Sequence, residues 1–248
     1  MNTLKNKIAV IIGGTSGMGL ATAKMLLDGG ARVLVTGRSQ AGLESAQKEL
    51  GKAALVVSSD ARSLTDIDAL ASRVKAEFNT FDLLSVSAGF AIRAPFESMT
   101  EAVYDEMFNL NAKGPLFAVQ KLAPLINRGG SVVFTTSVAN VKGMPGNAAY
   151  GAAKAAMRSF ARTLATELLP RGIRVNAVTP GPIDTPIIGK VFTSKDEVTQ
   201  IREKMAAMVP MKRWGTSEEI AKAVLFLAFD ATFTTGAEIP VDGGWSQL

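Results

Sequence analysis

The sequence predicts an α/β fold with a doubly wound, seven-stranded parallel sheet and helices on both faces. Short β-branched segments alternate with longer segments of helical periodicity, a pattern typical of parallel sheets. The predicted strands are 7–12, 32–36, 54–58, 83–87, 131–136 and 174–178, with 237–241 as a weaker seventh. Segments such as 63–78, 100–127 and 147–169 are long enough for helical crossovers. Because no linker divides the chain, we expect one domain, residues 1–248, with a flap of short helices inserted at 184–210.

Composition excludes several kinds of chemistry. The chain has no histidine and no cysteine, which excludes disulfides, thiol nucleophiles, Ser–His–Asp triads and the usual zinc sites. An acid or base must therefore come from Tyr, Lys, Asp, Glu or water. The net charge of +5 is spread along the chain, so it favours anionic ligands weakly and does not indicate nucleic acid.

The N-terminal segment does not predict a targeting signal. Its apolar run is too short for a signal-peptide core, and no apolar stretch approaches the length needed to span a membrane. We therefore expect a cytoplasmic protein with no membrane segment.

A glycine-rich turn follows the first predicted strand. In "IIGGTSGMG", Gly13, Gly17 and Gly19 allow a tight turn and close approach of the backbone to a pyrophosphate at a helix N-terminus. Such turns also serve structure alone. The position of this one between the first strand and the first helix of a βαβ unit indicates dinucleotide binding.

A tyrosine and a lysine stand four residues apart in "AAYGAAKAA". On a helix this spacing places Tyr150 and Lys154 on one face, so the phenol and the ammonium can point into the same space. A half-exposed tyrosine beside a lysine that extends to solvent gives the same pattern. The pair indicates catalysis only if other segments build a site around it.

Several motifs in order resemble the short-chain dehydrogenases/reductases, a family of Rossmann-fold oxidoreductases. The glycine turn matches their Thr-Gly-x-x-x-Gly-x-Gly motif except at Ile12, and "SAGF" matches Asn-Ala-Gly with Ser87 in place of asparagine. "NLNAKG", "TTSVAN", "TPGPIDTP" and "EIPVDGG" match further family segments, so that the resemblance covers nearly the whole chain. It points to the branch of NADP(H)-preferring ketone and 3-oxoacyl reductases.

The resemblance implies a cofactor site and a catalytic set. The implied catalytic residues are Asn111, Ser137, Tyr150 and Lys154. The implied cofactor contacts are Gly13, Thr15, Ser16, Gly17, Met18, Gly19, Arg38, Ser39, Asp60, Ala61, Ser87, Ala88, Gly89, Tyr150, Lys154, Pro180, Gly181, Ile183 and Thr185. Asp60 would contact the adenine ring, and Pro180, Gly181 and Thr185 would lie against the nicotinamide.

Tyr150 would then exchange a proton with the substrate oxygen as hydride moves. An ammonium about 5 Å away, at an effective dielectric of about 20, would lower the phenol pKa by roughly 2 units. Lys154 would also hold the nicotinamide ribose, and Ser137 would orient the substrate oxygen. Asn111 would hold a water that passes protons to Lys154. Ser137 can equally be a turn or cap residue, and Asn111 a helix-kink residue. No metal is required.

Residues after the second strand indicate the cofactor. Where NAD-binding folds place an acid, this chain has Gly37, followed by Arg38 and Ser39, which favours NADP(H) over NAD(H). Arg38 can also be simply a solvated residue at a strand end. The basic residue often found before Gly17 is replaced by Ser16. We therefore expect only a small preference for NADP(H) over NAD(H).

Two classes of function follow. The first is an NADP(H)-dependent enzyme that interconverts a ketone and a secondary alcohol, and the second is a nucleotide-binding regulatory or structural protein without turnover. The four catalytic residues favour the enzyme. The expected pocket is lined by Phe90, Val138, Ala139, Val141, Asn147, Pro182 and Ile183 with the flap.

This apolar lining favours a hydrophobic or aromatic ketone, while β-ketoacyl, sugar and steroid substrates stay open. Arg93 and Lys142 are unassigned cations beside the pocket. The apolar helix 147–169 is a buried crossover or a subunit interface. With a C-terminal contact through Trp245 and Leu248, the family resemblance implies a homotetramer, no nucleic acid and no membrane partner.

Overall fold

A computed structural model of the chain describes residues 4–186 and 195–248. The strands are β1 (Ile8–Ile12), β2 (Arg32–Gly37), β3 (Ala54–Ser58), β4 (Phe81–Val86), β5 (Ile126–Thr135), β6 (Arg174–Pro180) and β7 (Glu238–Val241). The helices are α1 (Gly17–Asp28), α2 (Gln40–Leu50), α3 (Leu64–Phe78), α4 (Glu101–Phe108), α5 (Gly114–Leu122), α6 (Ala148–Leu168), α7 (Lys195–Met208) and α8 (Ser217–Leu225).

The strands form one parallel sheet in the order β3-β2-β1-β4-β5-β6-β7. This confirms the predicted doubly wound Rossmann fold. The order reverses between β1 and β4, and ligands of such sheets bind in the crevice outside the carboxyl ends of the strands at this point. The glycine turn after β1 and residues 87–89 after β4 both lie there.

A hydrophobic core covers each face of the sheet. One core includes Leu70 of α3, Val119 of α5 and Met157 of α6 against the strands. The other includes Leu26 of α1 and Val224 of α8. Buried strands with apolar residues facing both ways explain why the predicted strands are continuous hydrophobic runs rather than alternating patterns.

Two predicted segments differ from the structure. The helix predicted at 100–127 is α4, a π-helical turn (Asn109–Lys113) and α5, and it ends at Leu122. Pro124 lies in the short 3₁₀ turn that follows, and β5 begins at Ile126 instead of 131. Of the predicted flap, residues 187–194 lie outside the described residues, and 195–208 form one 14-residue helix instead of several short ones. No helix in the described ranges is long and apolar enough to cross a membrane.

Candidate active site

The glycine turn forms a close backbone cradle at the carboxyl end of β1. Gly13 and Gly17 have φ of 81° and 52°, a region that favours glycine. A Cβ on Gly19 would lie 2.2 Å from the Gly13 carbonyl oxygen, so a larger residue does not fit. The turn borders a cavity of about 130 Å³ lined by Gly13, Thr15, Ser16, Gly17, Met18, Gly19, Ser87, Ala88, Gly89, Thr185 and Pro186. The cradle at the start of α1 fits the pyrophosphate of a dinucleotide.

The predicted adenosine-side residues lie at the ends of β2 and β3. Arg38 directly follows β2, and the Ser39 hydroxyl caps α2 by accepting from the Gly42 N–H at 3.2 Å. The Asp60 carboxylate is held by Arg62, whose Nε lies 3.0 Å from Oδ1, and Arg62 also reaches Glu106 at 2.7 Å. Hydrogen bonding from Arg62 lowers the pKa of Asp60. Asp60 is thus a charged acceptor fixed in place beside Ala61.

Ser87, which stands where the family motif has asparagine, bonds to the neighbouring strand. Its hydroxyl lies 3.2 Å from Thr135 Oγ1 on the neighbouring strand β5. The Ser87 and Ala88 N–H groups both donate to the Ile12 carbonyl at 2.9 Å. The turn after β4 is therefore tied to β1 by the backbone and to β5 by the serine, although the asparagine of the family motif is absent.

The segment 180–185 crosses the top of β6. The Gly181 N–H donates to the Val241 carbonyl at 3.1 Å, and Ile183 forms a bridge with Gly215. Thr185 Cγ2 lies 3.3 Å from where a Cβ on Gly17 would be, which places this segment across the cavity from the glycine turn. Asp184 forms an ion pair with Arg202 of α7.

The structure brings together Ser137, Tyr150 and Lys154. Ser137 follows β5, and its Oγ accepts from the Ala139 N–H at 3.2 Å. Tyr150 lies in the first turn of α6, close enough to Ser137 for the serine hydroxyl to lower the pKa of its phenol. Lys154, on the next turn, is buried, donates from Nζ to the Thr135 carbonyl at 2.9 Å and lies 5.8 Å from the centre of the Tyr150 ring.

The electrostatics differ from the expectation that Lys154 lowers the tyrosine pKa. Burial raises the pKa of the Tyr150 phenol, and the hydrogen bond from Ser137 opposes this only in part. Burial also lowers the pKa of Lys154 to about 7, so near neutral pH its ammonium is only partly populated. The chain alone therefore keeps the phenol protonated, because desolvation outweighs the attraction of a partly charged lysine.

Asn111 lies in the π-helical turn between α4 and α5 and is fully buried. Its Nδ2 donates to the Phe90 and Met107 carbonyls, each at 3.0 Å, so it does support an irregular turn. Its Oδ1 has no hydrogen-bond partner. This oxygen and Lys154 Nζ lie 2.6 and 3.0 Å from where a Cβ on Gly89 would be. Both groups therefore face the same small space beside Gly89.

The predicted substrate lining is divided between different places. Ala139, Val141 and Asn147 border a groove of about 570 Å³ with Phe96 and α6. Pro182 and Ile183 border a separate cavity of about 280 Å³, and the Val138 side chain packs in a small core with Val209 and Trp245. The predicted pocket also included the flap, of which 187–194 lie outside the described residues, so one pocket made by these residues stays a prediction. Phe90 lies in the loop after β4, and its carbonyl accepts from Asn111.

The two unassigned cations have different surroundings. Lys142 Nζ donates to the Trp245 carbonyl at 3.0 Å and lies 5.3 Å from the centre of its ring, so it ties the loop after Ser137 to the C-terminal segment. Arg93 is exposed in the loop after β4, where the neighbouring Ala94 N–H donates to the Gly146 carbonyl. Lys142 lines the groove itself, and Arg93 is adjacent in sequence to Ala94, which also lines it.

Sequence reasoning missed two side chains beside this site. Arg62 holds Asp60, and the largely buried carboxylate of Glu238 accepts hydrogen bonds from Thr136 and Asn140 on either side of Ser137. The available signal was a glutamate inside the weak seventh strand, a position that a charged residue rarely occupies without a partner. Among the described residues no group of acidic side chains could hold a metal ion.

A parallel Rossmann sheet with a glycine cradle and a Ser–Tyr–Lys cluster defines a nicotinamide-dependent oxidoreductase. The family model described as enoyl-(acyl carrier protein) reductase matches residues 13–246. Oxidoreductase asL5 of Sarocladium schorii is 37% identical, over 99% of this chain and 98% of that protein. The 3-oxoacyl-(acyl-carrier-protein) reductase FabG of Thermotoga maritima is 34% identical, over 97% of this chain and 98% of that protein.

Solved structures of similar proteins have the same fold. A short-chain dehydrogenase/reductase from Brucella melitensis superposes with a TM-score of 0.91 at 30% identity, covering 99% of each chain. Levodione reductase gives 0.90 at 29% identity, covering 98% of each. The chain belongs to the short-chain dehydrogenase/reductase family. It is an oxidoreductase for alcohol or ketone substrates that uses a nicotinamide cofactor.

Proposed function

We propose that the chain is an NADP(H)-dependent reductase that interconverts a ketone and a secondary alcohol, with Tyr150 as the acid and base. The observation that carries this proposal is that Ser137 lies close enough to Tyr150 to lower the pKa of its phenol, while Lys154 is buried 5.8 Å from the centre of the tyrosine ring. Two hydroxyls at the carboxyl edge of the sheet are suited to donate hydrogen bonds to a carbonyl oxygen. They are less suited to a carbon–carbon double bond, which offers no hydrogen-bond acceptor.

The raised pKa of Tyr150 suits proton donation in the reductive direction. The nicotinamide, when bound, supplies or accepts the hydride. Ser137 donates to the substrate oxygen and aligns it, and Tyr150 gives that oxygen its proton as negative charge develops. In the oxidative direction Tyr150 takes the alcohol proton, which requires added positive charge near the phenol, since the lysine is only partly charged at pH 7.

Proton resupply is proposed to run through Lys154 and Asn111. The unpartnered Asn111 Oδ1 and the lysine Nζ face the same space beside Gly89, and a buried polar oxygen without a protein partner is a natural site for ordered water. Such a water would take a proton from solvent and pass it to Lys154, which then restores the phenol.

The NADP(H) preference rests on charge. Arg38 follows β2 with no acid at Gly37, so a 2′-phosphate would meet a guanidinium instead of a carboxylate.

The groove by Ala139, Val141 and Phe96 is mostly apolar, which favours a hydrophobic ketone. Leu248 and the small residues along α6 are exposed, and both support association into a homotetramer. Residues 1–248 form one cofactor-binding and catalytic domain in this proposal.

The test is NADPH oxidation with a panel of hydrophobic, aromatic and β-keto ketones. Tyr150→Phe should lose at least about 1,000-fold in kcat while NADPH binding, followed by fluorescence, stays within twofold, because only the proton donor is removed. Tyr104→Phe is the matched control, since Tyr104 is half exposed and stacks on Phe108, away from the site. Tight NADPH binding without turnover of any ketone would support a binding protein instead.

A further inference from the structure

A buried carboxylate lies beside the catalytic turn. Glu238 begins β7, and its side chain is 11% exposed. Its Oε1 accepts from Thr136 Oγ1 at 2.7 Å and from Asn140 Nδ2 at 2.6 Å. These two residues lie one before and three after Ser137, so a single oxygen fixes both ends of the turn that carries the catalytic serine.

The hydroxyl of Thr136 can be assigned to this carboxylate. It lies near three acceptors: the Val178 carbonyl at 3.0 Å, Thr179 Oγ1 at 2.8 Å and Glu238 Oε1. A hydroxyl has one proton, and an ionised carboxylate is the strongest of these acceptors. Thr136 therefore donates to Glu238 and accepts from Thr179, which extends the network to β6.

The second carboxylate oxygen contacts the helix that carries the other catalytic residues. Arg158 Nε lies 2.7 Å from Glu238 Oε2, a close charge contact without a directed hydrogen bond from Nε. Arg158 follows Lys154 by one turn of α6, and Tyr150 by two. Glu238 thus touches the Ser137 turn through one oxygen and the Tyr150–Lys154 helix through the other.

We propose that Glu238 is a positioning residue that holds Ser137 in register with Tyr150. The proposal deepens the proposed function, on which its kinetic part rests. Glu238 does not touch the reacting groups; it acts through Thr136, Asn140 and Arg158. Removing its charge leaves Arg158 without its counter-ion and weakens both hydrogen bonds, so the Ser137 turn loses its fixed distance to the phenol.

A spectroscopic test is independent of turnover, because the chain has only two tyrosines. In a Tyr104→Phe background, tyrosine labelled with ¹³C at Cζ gives one signal, from Tyr150. We expect Glu238→Gln to move this signal toward its position in Ser137→Ala, since both weaken the effect of the Ser137 hydroxyl on the phenol. Glu167→Gln, at an exposed position of α6, should leave the signal unchanged. A Glu238→Gln signal at the parental position overturns the proposal.

Kinetics give a second readout. Glu238→Gln should lower kcat by about 10- to 100-fold, the loss typical of a displaced catalytic group, with NADPH affinity unchanged within twofold. In a Ser137→Ala background the same substitution should change kcat less than threefold, since the residue through which Glu238 acts is already gone. An equal loss in both backgrounds indicates general destabilisation and overturns the proposal.

Two further variants keep the test usable if Glu238→Gln does not fold. Thr136→Val and Asn140→Ala each remove one hydrogen bond to Oε1 and leave the ion pair with Arg158 in place. Each should move the Tyr150 signal in the same direction by a smaller amount, and no movement in either overturns the proposal. Absence of ketone reduction by the parent enzyme would refute the proposed function while the spectroscopic result still decides the role of Glu238.

Discussion

The side chain of Thr15 fills the space beside Gly37. A Cβ on Gly37 would lie 2.5 Å from Thr15 Oγ1 and 2.6 Å from its Cγ2. A side chain larger than glycine at position 37 must therefore displace the Thr15 side chain. The glycine turn after β1 occupies that room, so the absence of an acid at position 37 is a matter of packing as well as of charge.

This contact predicts the outcome of engineering NADH use. Gly37→Asp alone should lower the free energy of unfolding by about 1–3 kcal/mol, the usual cost of overpacking. Thr15→Ala/Gly37→Asp should recover at least half of that loss and also shift kcat/KM toward NADH. Urea unfolding and the two cofactor assays measure this. Equal stability of the two variants would show that the Thr15 side chain moves aside without lowering the free energy of unfolding.

Arg38 should carry the phosphate preference. Arg38→Leu should reduce the NADPH-to-NADH ratio of kcat/KM by about 10-fold and at most about 150-fold, the value of one charge-assisted contact. Lys48→Leu removes the same charge from the last turn of α2, the helix that follows Arg38, and should change the ratio less than twofold. A similar loss in both variants would mean that long-range charge, and not contact, sets the preference.

Burial of Lys154 makes stability depend on pH. Its folded pKa of about 7 lies below the ordinary lysine value of 10.5, so between these values the unfolded chain binds more protons than the folded one. The loss of folding stability that comes from burying the charged lysine is fully present below pH 7, and it disappears as the pH rises toward 10.5. Lys154→Met should therefore be more stable than the parent at pH 7, with a difference that shrinks by pH 9.5.

Denaturant unfolding at several pH values measures this difference. Lys52→Met, at an exposed position, should show no such trend. A constant difference across the range would mean that Lys154 stays protonated in the folded enzyme at all these pH values.

Helix α7 should respond to the cofactor through one ion pair. Arg202 of α7 binds the Asp184 carboxylate, and Thr185 next to it borders the glycine-turn cavity. NADPH should slow amide exchange in 195–208, and Arg202→Leu should remove at least half of that protection. Lys204→Leu, exposed on the same helix, is the control. Protection that is identical with and without NADPH would contradict the coupling.

Self-association should depend on α6. Ala148, Ala152 and Ser159 are exposed along α6, and their small side chains allow a second helix to pack closely. Light scattering should give four times the chain mass of 26.1 kDa, and Ser159→Glu should reduce it. Ser72→Glu, at an exposed position of α3, should leave the mass unchanged. Within the chain, Trp245 is already buried and contacts Lys142, so of the two predicted C-terminal contacts only Leu248 stays exposed. A single-chain mass at micromolar concentration would refute the tetramer.

Sequence patterns predicted the elements that depend on local signals. Strand runs, the glycine turn and the Tyr150–Lys154 spacing are short-range features, and the structure has them where expected. The pKa of Tyr150 could not be predicted, because it depends on how completely the fold excludes water from the phenol and the lysine. The Arg62–Asp60 pair is two residues apart, yet its link to Glu106 spans 44 residues, and no spacing rule reveals such contacts.

The hydrogen bonds of Glu238 join residues 102 and 98 positions apart along the chain. During translation, Ser137, Tyr150 and Lys154 leave the ribosome long before this acceptor is made. A nascent chain that stops short of β7 carries every catalytic side chain but not the carboxylate that aligns them. The enzyme should therefore reach full activity only after β7 has been made and has paired with β6.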